Sequence, residues 1–142
     1  MTNTTSKRVG NVMCIGLAGG LLALGGCAHR YKLDTEAPNY AAMAKIKVKA
    51  QDDDNREMTL RIDHLAPPEK FDAGYSAYAV WIAVPGHNIS KVGLLDYSGK
   101  KRRGELVATS PFAKFEVIVT LEQDRSSSMP SNAVVLRKVV AG

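Results

Sequence analysis

From residue 45 onward, apolar and polar side chains alternate along the chain. In "KIKVKA" (45–50), Ile46, Val48 and Ala50 fall on one side and lysines on the other. In "MTLRID" (58–63), Met58, Leu60 and Ile62 oppose Thr59, Arg61 and Asp63, and "KFEVIVTLE" (114–122) sets Phe115, Val117, Val119 and Leu121 against a mostly polar face. A period of two puts successive side chains on opposite faces of a strand, so these segments predict half-buried antiparallel strands. "AYAVWIAV" (77–84) is apolar on both faces and predicts a central, fully covered strand. "ISKVGLLDY" (89–97), "GELVATS" (104–110) and "AVVLRKVV" (133–140) bring the set to about seven. No segment carries a helical period.

The connections agree with this pattern. "VPGHN" (84–88) and "YSGKKRRG" (97–104) predict hairpin turns. "HLAPPEKFDAGYS" (64–76) predicts a crossover, with Pro67 and Pro68 stopping the strand before it, and "QDRSSSMPSN" (123–132) a second long loop. Short strands at even spacing with long crossovers predict an all-β fold: a seven-stranded antiparallel sandwich of immunoglobulin or fibronectin-III type over residues 45–142, with Trp81 as core anchor.

The first 44 residues break the pattern. Lys7 and Arg8 precede an uncharged run, "VMCIGLAGGLLAL" (12–24), and then Gly25, Gly26 and Cys27. A basic start, a short apolar stretch and small residues before a cleavage point predict an export signal over 1–26. A membrane-spanning helix needs about 20 apolar residues. Gly16 and Gly20 also form a GxxxG spacing, read here as part of the export core rather than a helix-pairing face. "LGGC" (Leu24, Gly25, Gly26, Cys27) resembles the lipobox of bacterial lipoproteins. That resemblance implies that the Cys27 thiol receives a lipid and becomes the new N-terminus. Ala28, where an Asp would retain the protein in the inner membrane, implies transfer to the outer membrane, periplasmic face. Cys14 lies inside the signal. Residues 27–44 are expected to form the lipidated N-terminus and a flexible tether spanning roughly 23 Å.

Composition narrows the chemistry. The chain has 142 residues, with 19 Lys and Arg against 14 Asp and Glu. Removing Lys7 and Arg8 with the signal leaves 17 basic residues, an excess too small and scattered to imply nucleic acid. The two cysteines both fall in the first 30 residues, so no disulfide, thiolate metal site or cysteine nucleophile is expected in the folded part.

Residues 77–140 resemble the extracytoplasmic domain of anti-sigma-K-type factors. The likeness runs through "YAVWIAVPGHNI", "KVGLLDYSGK", "GELVATSPFAKFEVIVTLEQD" and "AVVLR". It implies the sandwich and, as an alternative function, a sensory or regulatory module. Sigma-factor binding is not carried over, because that family's cytoplasmic domain and spanning helix have no counterpart in these residues.

The remaining candidates are sparse. The basic run Lys100, Lys101, Arg102, Arg103, on a predicted hairpin tip, is a candidate surface contact for lipid headgroups, an anionic envelope polymer or an acidic envelope protein. His29, His64 and His87 lie in separate segments without metal-ligand spacing. Asp52–Asp54 lacks the alternation and Gly of a calcium loop and reads as a solvated turn. Tyr75, Tyr78 and Tyr97 read as packing residues, and Asn88–Ser90 fits a glycosylation sequon of little meaning in a bacterial lipoprotein. Ser126–Ser128 has no nucleophile elbow around it. No enzyme, cofactor or metal is expected. The reading is an exported, lipid-anchored module with a binding or structural role at the cell envelope.

Overall fold

The computed structural model describes residues 27–35 and 41–142. The export signal expected over 1–26, Cys14 included, and residues 36–40 of the expected tether lie outside the described residues. Nine strands are present among the described residues: β1 (Ala28–Asp34), β2 (Met43–Ala50), β3 (Arg56–Asp63), β4 (Ala77–Ala83), β5 (Ser90–Leu94), β6 (Asp96–Ser98), β7 (Arg103–Ser110), β8 (Lys114–Glu122) and β9 (Val134–Ala141). They form two antiparallel sheets, one ordered β1-β2-β3-β7-β6 and the other β5-β4-β8-β9, in a sandwich-like arrangement. The only helical turn among them is a 3₁₀ turn at Pro68–Lys70, in the crossover from β3 to β4.

The alternating apolar rows meet between the sheets. Ala44, Ile46 and Val48 from β2, Met58, Leu60 and Ile62 from β3, and Phe115, Val117, Val119 and Leu121 from β8 are all buried there. β4 adds Tyr78, Val80 and Ile82, and its flanking strands β5 and β8 make it the central strand its composition predicted.

Two differences raise the strand number from about seven to nine. Residues 89–97 form two strands in different sheets. The ladder between β4 and β5 slips between Val80 and Trp81, a bulge that leaves Val92 without a partner. A bulge bends and twists its strand. At Gly93 a β-carbon would stand 3.1 Å from Leu106, so the bare backbone lets the chain pass close to the opposite sheet. Leu95, buried, completes the switch, and β6 then pairs with β7.

The second difference corrects the expected tether. Ala28–Asp34 is a strand paired along its whole length with β2, from Ala28 opposite Lys49 to Asp34 opposite Met43. Its inward row carries Tyr31 and Leu33, both packed on the core. The Tyr31 hydroxyl donates to the Ala141 carbonyl and accepts from the Ala141 amide, each at 3.1 Å, tying β1 to the end of β9. The segment looked irregular because an edge strand half-buried on one side needs only two apolar residues.

Trp81 requires a correction as well. It is fully buried, but on the opposite face of β4 from the inter-sheet core, in a separate cluster with Ala79 and Ile118. The loop over 123–132 covers that face. Lys91 pins the loop by donating to the carbonyls of Arg125 (2.7 Å) and Ser127 (3.0 Å), and its ammonium stands 5.5 Å from the Trp81 ring centre. Beneath the loop, the indole N–H donates to Thr120 Oγ1 at 2.8 Å and that hydroxyl donates to Glu122 Oε1 at 2.5 Å. The Ser131 amide donates to the same carboxylate oxygen at 2.9 Å. A buried carboxylate is tolerable because donors surround it.

Candidate functional site: a cationic sheet face beside Cys27

Cys27 is exposed, has a free thiol and immediately precedes β1. Strand direction places it at one end of the sandwich. The β2–β3 turn (51–55), the β4–β5 turn (84–89) and the C-terminus share that end, since Ala28 lies opposite Lys49, and Arg56 Nε donates to the Gly142 carbonyl at 2.7 Å.

The basic hairpin Lys100–Arg103 occupies the other end, and its four residues do different things. Lys100 and Lys101 are exposed in the turn. Arg102, at φ 49°, uses its carbonyl to accept the Leu65 amide at 2.9 Å, which fastens the crossover to the turn. Arg103 is half-buried and pairs with Asp63 at 2.8 Å. The contiguous run in sequence is therefore a two-lysine tip on a structural base.

A denser concentration of positive charge lies on the outer face of the five-stranded sheet. Alternation turns Arg30 and Lys32 of β1 and Lys45, Lys47 and Lys49 of β2 to the outside, opposite the buried row. Pairing sets Arg30 directly against Lys47, and Lys32 against Lys45, which is itself beside Arg61 of β3. Like charges directly opposite destabilise a ladder. Five cations here face one acid, Asp34. Across β3, β7 and β6 the same face reverses sign, with Glu57, Asp63, Glu105 and Asp96 against Arg61 and Arg103. Among the described residues, Arg30, Lys32, Lys47 and Lys49 make no ion pair. The lysines of 45–50 were visible in sequence as one side of a strand. Their partners Arg30 and Lys32 were not, because only two apolar residues, Tyr31 and Leu33, mark the inward row of β1.

Asp63 is the hinge between the two halves. It accepts from Lys45 (3.2 Å), Arg61 (3.0 Å) and Arg103 (2.8 Å). Partial burial opposes its ionisation, but the three cationic donors outweigh that and hold the carboxyl down at about 2. A depressed carboxylate contributes stability above its ordinary value near pH 4, and that contribution is lost as pH falls through about 2. Asp63→Asn is expected to cost about 1–2 kcal/mol at neutral pH after allowance for solvent screening, and nearly nothing at the acid limit. Urea unfolding midpoints at the two pH values check this; an equal deficit at both would assign the loss to packing instead.

The other expected features are surface fittings. Asp52–Asp54 forms the exposed β2–β3 turn, closed by the Asn55 side chain donating to Asp53 at 2.7 Å. His64 is exposed at the end of β3, and His87, in the β4–β5 turn, rests 4.8 Å from the Phe112 ring. Tyr78 and Tyr97 donate to the carbonyls of Ala66 (2.6 Å) and Leu65 (3.0 Å), fastening the crossover. A groove of about 770 Å³, lined by Val84, Pro85, His87, Phe115 and Val139 among others, opens at the Cys27 end. No helix among the described residues is long and apolar enough to cross a membrane.

No protein-family model, curated protein or solved structure matches the chain.

Proposed function

We propose that this chain is an exported lipoprotein whose β-sandwich, of immunoglobulin or fibronectin-III type, is a non-enzymatic binding or structural module of the cell envelope, held by lipid on Cys27 to the periplasmic face of the outer membrane. The observation that carries the reading is Cys27 itself. It ends a lipobox-like "LGGC", stands exposed with a free thiol, and leads directly into the first strand. An acyl group there meets no packed neighbour, whereas a thiol inside the sandwich would have no access to a lipid donor.

The strand order supports the finer fold assignment. With β1 set aside as an addition, β2-β3-β7-β6 over β5-β4-β8-β9 follows the order A-B-E-D over C′-C-F-G of immunoglobulin-type domains. Mass spectrometry of the N-terminal peptide of the protein extracted from membranes tests the anchor. The expected product begins at Cys27 and carries the mass of a diacylglyceryl group; a chain beginning elsewhere, or an unmodified Cys27, refutes the reading.

A further inference from the structure

We infer that the outer face of β1 and β2 lies against the anionic headgroups of the bilayer that holds the anchor, so that the sandwich rests on its side rather than standing on its tip. This rests on the lipid-anchor reading of Cys27 and adds an orientation and a lipid chemistry to it.

Three observations carry it. The first is proximity. At about 3.3 Å of rise per residue, Arg30 is roughly 10 Å from Cys27 and Lys32 roughly 16 Å, with Lys47 and Lys45 one strand spacing to the side. With β1 starting at residue 28, no slack chain separates the anchor from these side chains. The second is charge. Clustered Lys and Arg beside a membrane attachment are drawn to anionic lipid within a Debye length of the surface. Among the described residues Arg30, Lys32, Lys47 and Lys49 make no ion pair; Lys49 stands opposite Glu57, but the other three face like charges across the ladder, a repulsion that lipid phosphates would relieve. The third is asymmetry. Asp52–Asp54 projects from the same end of the sandwich as Cys27, so an upright pose would press three carboxylates toward the phosphates. Tilting onto the β1–β2 edge brings the cations down and lifts the acidic half of the sheet, around Glu105 and Asp96, away. In that pose Lys100 and Lys101, at the far end, point away from the anchor and stay in water.

The test uses the full chain, expressed with its own signal, purified from membranes and reconstituted into vesicles. One set is zwitterionic phosphatidylcholine; the other also contains anionic phosphatidylglycerol. Lysine reactivity toward a membrane-impermeant amine reagent is mapped by peptide mass. Lys32, Lys47 and Lys49 are expected to lose reactivity several-fold in the anionic vesicles, with recovery in high salt, while Lys100 and Lys101 react equally in both. The exposed double reversal Lys32→Glu with Lys47→Glu is expected to abolish the difference at Lys49 without changing the yield of anchored protein. Lipid on Cys27 with equal reactivity of the three lysines in both vesicles overturns this inference alone. Absence of lipid on Cys27 overturns the anchor reading and this inference together.

Discussion

Trp81→Ala is expected to destabilise the domain by about 3–5 kcal/mol, the range for removing a fully buried large aromatic. The loss has two parts. Deleting the indole leaves a void between Ala79, Ile118 and the loop that Lys91 fastens across them, and it removes the ring beneath the Lys91 ammonium. It also strips Thr120 Oγ1 of its donor, within a chain that runs from the indole N–H through Thr120 to Glu122 and back to the Ser131 amide. Trp81→Phe separates the parts. It keeps most of the volume and loses the N–H, and should cost nearer 1 kcal/mol for the hydrogen bond together with a smaller packing loss. Urea denaturation of the three proteins decides the matter. Equal stability of wild type and Trp81→Ala would mean that the loop over 123–132 does not close over this face in solution. Amide exchange at Ser131 gives a second readout, because its protection depends on the carboxylate beneath the loop.

Cys27→Ser should abolish incorporation of labelled palmitate and release the protein from salt-washed membranes. The effect is large because each buried CH₂ contributes ~0.8 kcal/mol, so two or three acyl chains hold a protein where one is marginal. The cationic face cannot substitute for them, because attraction at the headgroups is screened by salt while acyl insertion is not. Label retained by the serine variant would place the lipid on another residue and remove the basis for the proposed function.

The fold was readable wherever one face of a strand is buried in the inter-sheet core. β2, β3 and β8 each carry three or four apolar residues at alternate positions, and burial of that row is what holds the register. The candidate site was readable only in part. "KKRR" drew attention because its charges are consecutive, yet a turn sends consecutive side chains in different directions, and Arg103 turned to Asp63. The stronger patch is built from every second residue of two strands, and it becomes one surface only when Ala28–Asp34 pairs with Met43–Ala50.

By itself, then, the amino-acid sequence determined the β class, the position of the turns and the central place of β4, because each depends on the side-chain period or on a local motif. Only the tertiary structure decided that the segment after Cys27 is a strand, that 89–97 divides between two sheets, and that Trp81 is buried on the outer face of its sheet. It also decided that the basic hairpin and Cys27 lie at opposite ends. These depend on which strands become neighbours and on what a loop covers. Such pairings join residues as far apart as Tyr31 and Ala141, and no local pattern records them.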